Sequence, residues 1–389
     1  MTTVPLVYTL RNLSRRALAT SLIGVGIGLA AFVVAVLLMA AAGLARTLHD
    51  SGSPANAVFV RMPATSESRS VIARDDIAAL EVLPGIARGA GGERLAAREV
   101  VVPVALMPRP GQRGTPALLR GTDGRGAELR GQPRLAAGTM PRTHTADVVL
   151  GAALATTLRV TVGEDIVFGT RAWRVAGTFA ASDTALDSEV WGDVDVVMAS
   201  FRRDHYSSLL VRMDDPGALA TFARALAQRP RSELAVYVER DFYAGQAQSL
   251  SRFLKSFAAF MGALLAVGAI AAGMIGMHAA VAQRTRELAT LRALGFEASS
   301  ILVAVLTEAA AIGLAGGALA IGLALCLGGV SFTTLNIETS TSLAFALLPA
   351  PPVLGATLAF ALALGVAGGL APAIRATRLE VATALREAG

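Results

Sequence analysis

The chain has 389 residues, of which 53% are hydrophobic and 16% charged, and its formal net charge is +6. A soluble globular chain carries roughly 25% charged residues, so part of this one belongs in lipid. A single cysteine, Cys326, excludes an internal disulfide and a cysteine-based zinc site. A single lysine, Lys255, lies in "SRFLKSF" with no glycine run before it, which excludes a Walker A loop in this sequence.

The basic surplus is local. Residues 47–250 hold 23 arginines against 23 acidic residues, whereas the remainder holds 12 basic and 6 acidic residues. The surplus sits beside apolar runs, where it reports membrane topology rather than nucleic-acid contact.

In chain order, Arg11, Arg15 and Arg16 precede an uncharged run that predicts a first transmembrane helix over 17–46, since about 20 apolar residues cross a bilayer. From Ala17 to Ala45 the run covers 29 residues, too many for the apolar core of a cleaved signal peptide. Gly24 and Gly28 stand one turn apart, a spacing that lets two helices approach closely, whether within one subunit or between two.

Residues 47–250 read as a large α+β domain. "AVFVRM", "REVVVPVALM" and "LAVYVER" are predicted strands, and Pro103 marks an edge or bulge in the second. "RDDIAALEVLPG" and "DPGALATFARALAQRP" are predicted helices bounded by proline and glycine. "ADVVLGAALATTLRVTVGEDIVFGTRAWRVAGTFA" reads as strand, short helix and a hairpin turning at Gly169-Thr170. Two subdomains are expected, with a boundary near 115–120. "PRPGQRGTP" and "GTDGRGAELRGQP" are expected as flexible connections.

The acidic run of Asp183, Asp187, Glu189, Asp193 and Asp195 is too loosely spaced for a calcium loop and is expected as a solvated loop. Trp191 within it is read as a core residue in preference to a partner contact. His49, His144, His205 and His278 are scattered and suggest neither a metal site nor a catalytic site. Cys326 is read as a small buried apolar residue.

Three further spans follow, over 251–283, 299–332 and 351–374, the last entered through "LPAPP". Gly313, Gly316 and Gly317 repeat the small-residue spacing in the third. Glu308 is the one acid inside the apolar runs. It is a functional candidate by default, or a side chain that snorkels to the interface. Arg284, Arg286 and Arg292 occupy the 284–298 segment and Arg375, Arg378 and Arg386 the 375–389 tail, while the 333–350 loop holds no basic residue. The positive-inside rule places both termini and the 284–298 segment in the cytoplasm, with 47–250 and 333–350 outside.

"RTRELATLRALGF" is predicted to form a short helix along the cytoplasmic face. Arg284 and Glu287 are spaced for one face, and Leu288, Leu291 and Leu294 form a ridge. Gly295 caps the helix before Phe296. One side is expected to dock in a partner's groove, with Arg286 and Arg292 pairing to carboxylates.

The pattern R-x-R-E-L-A-x-L-R-A-L-G, followed by Glu308 and a glycine-rich helix, resembles FtsX-like ABC-transporter permeases of the MacB and lipoprotein-releasing type. The tail "PAIRATRLEVATALRE", the opening "LRNLSRRALATSLIGVGIG" and the pair "ADVVLGAALATTLRVTVGEDIVF" and "WRVAGTF" resemble the same family. The resemblance implies a non-catalytic permease subunit of an ABC transporter, in the cytoplasmic membrane of a bacterium, that works by mechanotransmission. It implies a cytoplasmic amphipathic helix over 1–16 leading into the first span, and a coupling helix at 284–298. It also implies a separate ATPase chain that binds ATP and Mg, a second permease copy (identical or related), and lipid around the spans. A periplasmic adaptor or substrate carrier fits the same picture. The alternative is an FtsX-type signalling or scaffold protein whose outer domain regulates an extracytoplasmic enzyme.

Overall fold

A computed structural model describes residues 17–107, 114–181, 184–229, 233–336 and 341–378. The expected helix at 1–16, residues 108–113 of the first glycine- and arginine-rich connection, Asp183 and most of the tail lie outside them.

The chain begins with α1 (Ala17–His49), β1 (Asn56–Arg61), α2 (Arg74–Leu80), β2 (Ala96–Leu106), β3 (Thr115–Thr122), α3 (Gly124–Leu129), β4 (Arg134–Gly138) and β5 (Asp147–Gly151). It continues through α4 (Ala152–Leu158), β6 (Asp165–Phe168), β7 (Arg171–Ala180), β8 (Glu189–Asp193), α5 (Val194–Ser200), β9 (Ser208–Arg212), α6 (Ala218–Ala227) and β10 (Leu234–Val238). It closes with α7 (Glu239–Ala282), α8 (Thr285–Ala293), α9 (Ala298–Cys326), β11 (Ser331–Asn336), β12 (Thr341–Ala346) and α10 (Pro351–Thr377). These divide into an apolar helical unit, residues 1–42, 253–330 and 347–389, and a mixed unit, residues 43–252 and 331–346.

Among the described residues, α1, α7, α9 and α10 are long and apolar enough to cross a membrane. A helix satisfies its own backbone in lipid, so apolar length alone suffices to specify it. Two boundaries differ from expectation. The helix holding the second span starts at Glu239 rather than 251, because no proline interrupts "ERDFYAGQAQSLSRF". The third ends at Cys326 rather than 332, where Gly328 and a left-handed Gly329 (φ +80°) stop it. The β-branched and aromatic "SFTTLN" then pairs antiparallel with β12. The expected 333–350 loop is therefore largely a hairpin, and it belongs to the mixed unit.

Glycine sets the helix crossings. A Cβ on Gly316 would lie 2.6 Å from the Gly24 carbonyl oxygen, and one on Gly28 would lie 3.0 Å from the Gly316 oxygen. A Cβ on Gly313 would meet the Ala361 oxygen at 2.7 Å, and one on Gly317 would meet Leu358 at 2.9 Å. These small residues bring α1 to α9 and α9 to α10 within one chain. Ile27, Ala31, Ile301, Ile312, Ala361 and Leu364 fill the space between. Cys326 is exposed, not buried, because the outer face of an apolar helix needs no protein cover in lipid.

In the mixed unit β1 to β10 form a sheet of order β10-β1-β9-β2-β3-β8-β5-β7-β4, with β6 on β7, separate from the β11–β12 pair. The β3–β8 and β5–β7 pairs are parallel and the others antiparallel. Residues 115–120 are not a boundary; they lie inside β3, which pairs with β2 on one side and β8 on the other. The ladder changes partner along β2, whose first residues pair with β9 and later ones with β3. Pro103 pairs on the β3 side only, beyond the end of the β9 ladder, where its missing N–H costs no hydrogen bond. Phe59, Phe168, Trp173, Leu209 and Phe222 lie in the main core, with Phe168 and Trp173 stacked at 4.9 Å.

The acidic run is not a solvated loop. Asp187, Glu189 and Asp193 are buried, and Glu189 to Asp193 form β8, a strand paired on both edges. Trp191 is 1% exposed and packs on Phe179 at 4.7 Å, which makes it a core residue. "GTDGRGAELRGQP" is ordered around α3, whose cap Asp123 accepts from the Gly126 N–H at 3.0 Å.

Candidate functional site

The segment between α7 and α9 folds as the sequence predicts locally. Thr285 to Ala293 form α8, and Gly295 follows at φ +92°. The Gly295 N–H donates to Arg292 O and the Phe296 N–H to Leu291 O, both at 3.1 Å, which closes the helix in a Schellman motif.

The faces of α8 differ from the expected docking ridge. Leu288 is buried in the core of the apolar unit, and Leu291 packs against that core. Only Leu294 of the three leucines is free, at 72% exposed. Arg286, Glu287 and Thr290 are exposed with it, while Arg292 and Phe296 are half-buried. The exposed side chains include Arg286, Glu287, Thr290 and Leu294.

Glu308 is not exposed. It is buried on α9 and accepts a hydrogen bond from Arg284 Nη2 at 2.5 Å. Arg284 also donates through Nε to Ala280 O at 3.4 Å. The residue flanking α8 is thereby tied to the third span.

A second constellation lies in the mixed unit. Arg120 on β3 and Arg130 after α3 meet Glu67, Glu99, Glu189 and Glu239, all of them buried ion pairs. Arg120 forks onto Glu189 at 2.7 and 2.8 Å and reaches Glu99 at 2.7 Å and Glu67 at 3.0 Å. Arg130 reaches Glu99 at 2.6 Å, Glu239 at 2.7 Å and the Tyr243 hydroxyl at 3.0 Å. Tyr243 donates to Glu67 at 2.8 Å, and Trp191 Nε1 donates to Glu189 at 2.7 Å. Burial alone would raise the Glu67 pKa, but the guanidiniums of Arg120 and Arg130 outweigh it and hold the carboxyl well below the ordinary range. The same carboxylates hold both guanidiniums firmly protonated against the opposing pull of burial.

Comparison with known proteins places this architecture. A model of the MacB-like periplasmic core domain matches residues 18–229, and a model of the FtsX-like permease C-terminal matches residues 259–381. The chain belongs to the MacB/FtsX family of ABC permeases.

The permease is 35% identical over 38% of its length to the pyoverdine export ATP-binding/permease protein PvdT of Pseudomonas fluorescens Pf-5, of which it covers 22%. It is 27% identical over 96% of its length to PvdT of Pseudomonas putida KT2440, covering 58% of that protein. The chain thus spans less than two thirds of the length of these curated relatives. The periplasmic region of MacB from Actinobacillus actinomycetemcomitans matches with a TM-score of 0.39 and 14% identity, over 50% of the permease and 94% of that structure.

Sequence reasoning missed the permease's buried cluster, and it assigned Arg130 to a flexible connection. The available signal was charge inside apolar strands: Glu99 in "REVVVPV", Arg120 in "ALLRGT" and Glu189 in "SEVWGD". The histidines are not all isolated either, since His144 lies 4.0 Å from Asp195, with both exposed.

Proposed function

We propose that the permease couples ATP hydrolysis in a separate ATPase subunit to movement of its extracytoplasmic domain, and so drives export or extraction of a substrate. In this reading both termini and α8 are cytoplasmic, ATP and Mg are held by the ATPase, and two permease copies work together with lipid around the spans. A periplasmic adaptor or carrier receives the substrate.

The observation that carries the reading is the two-sided character of α8. One face is committed to the core of the apolar unit through Leu288 and Leu291, and Arg284 pins its start to Glu308. The other face leaves Arg286, Glu287, Thr290 and Leu294 outside. A helix held this way transmits a push on its outer face to the span behind it instead of tilting. Aliphatic Leu294 beside charges of both signs suits a mixed apolar and polar groove.

The reading is tested by recovering an affinity-tagged full-length chain from its native membranes. It predicts that an ABC ATPase co-purifies with the parent and is lost with Leu294→Glu. Equal recovery with parent and variant contradicts it.

A further inference from the structure

Three elements connect the mixed unit to the apolar one: the end of α1, the start of α7 and the β11–β12 hairpin. Within the mixed unit they converge. Leu48 of α1, Tyr243 and Gln246 of α7, and Thr341 and Leu343 of β12 line one cavity of about 30 Å³, together with Arg120 of the buried cluster. Two hydrogen bonds fasten the same place. Ser51 Oγ accepts from the Ala185 N–H at 2.8 Å, and Ser188 Oγ accepts from the Ala344 N–H at 3.0 Å. Both use the short turn that leads into Glu189.

The cluster is an expensive way to hold a fold together. Four carboxylates face two guanidiniums almost out of water, and apolar residues of similar volume often stabilise a protein as well or better. What a cluster of this kind supplies is geometry. Forked guanidinium–carboxylate bonds have a fixed direction and register, whereas apolar surfaces slide over one another. Glu239 and Tyr243 stand one turn apart at the start of α7, the helix that continues into the second span. They bind α7 to Arg130 and Glu67, and through these to β2, β3 and β8. Glu239 also accepts from the Ser53 N–H at 2.9 Å and from Asn56 Nδ2 at 2.8 Å, just beyond α1.

We infer that this cluster is the grip by which α7, α1 and the hairpin hold the sheet as one body, with Glu239 and Tyr243 as its positioning residues. The inference rests on the proposed function, because a grip matters only if the spans move the domain. Displacement of the helices is then delivered to the whole sheet instead of being absorbed at its root.

The test uses the full chain with Cys326→Ala, reconstituted with its co-purifying ATPase. Spin labels are placed at Asp165→Cys in the domain and Ala356→Cys in the fourth span, both exposed positions. The distance is measured without nucleotide and after trapping with ADP and vanadate. The parent shifts on trapping, as does the control Arg98→Ala, which breaks the Arg98–Glu81 bridge and a contact to Tyr206, both outside the cluster. Glu239→Gln and Tyr243→Phe lose the shift while ATP turnover and cooperative melting persist. Tyr243→Phe removes one hydroxyl and keeps the ring beside Phe242, so its result decides if Glu239→Gln fails to fold. A shift in Tyr243→Phe equal to the parent's overturns the grip and leaves the proposed function standing. A parent that never shifts overturns both.

Discussion

Arg284 and Glu308 form an ion pair at 2.5 Å with side chains only 8% and 7% exposed. The pair joins the start of α8 to α9 with both charges buried, where a charge left unpaired is costly. Removing one member therefore differs from removing both. Glu308→Ala leaves Arg284 buried without its counter-ion, a change that costs about 3–5 kcal/mol. Melting of the purified chain in detergent is expected to fall steeply for Glu308→Ala and to recover substantially in Arg284→Met/Glu308→Leu. A single variant that melts with the parent shows that the pair contributes nothing.

The glycine crossings predict a contrast between positions. A Cβ on Gly365 would lie 2.5 Å from Ala309 O and 2.8 Å from Gly313 Cα. The atoms it would meet are backbone of α9, so no side chain can rotate away. Gly365→Ala is expected to destabilise α9 against α10 by about 1–3 kcal/mol. Gly268→Ala, where nothing lies within 4 Å, is expected to melt like the parent. Equal melting temperatures for the two variants contradict the packing account.

The four helices, the strand at 57–62, the hairpin at Gly169-Thr170 and the glycine stop at Gly295 were all legible, because each rests on a local signal. Apolar length, alternation and turn residues act over a few neighbours. What was not legible depends on distant partners. Arg130 looked like part of a flexible connection because its ligands Glu99 and Glu239 are 31 and 109 residues away. Leu288 and Leu294 belong to one ridge in sequence, yet only the packing of α7, α9 and α10 decides which of them is covered. The apolar run past Cys326 read as helix by length, although from Ser331 on the chain pairs with a strand that begins beyond four residues outside the described set.

The Glu67 carboxyl gives a pH prediction with a definite sign. Its folded pKa is depressed below the ordinary value of 4.5. Such a group contributes stability above that value and loses the contribution as pH falls from there toward the folded pKa. The melting temperature of the parent should therefore drop more steeply below pH 4.5 than that of Glu67→Gln, which starts lower at neutral pH. Parallel acid profiles contradict the assignment.

Topology can be read by labelling. In a Cys326→Ala background, Leu294→Cys is expected to react with a membrane-impermeant maleimide only after the cytoplasmic side is opened. Val167→Cys, on an exposed position of β6, is expected to react in intact cells. The opposite pattern reverses the orientation assigned from the arginines.

The central claim is that the outer face of α8 takes force from an ATPase. The most direct measurement is ATP turnover by the ATPase in proteoliposomes containing the full-length permease, compared among the parent, Leu294→Glu and Glu287→Ala. The account predicts that both substitutions lower permease-dependent turnover while the chains melt like the parent. Turnover that is identical in all three, with the complex intact, contradicts it.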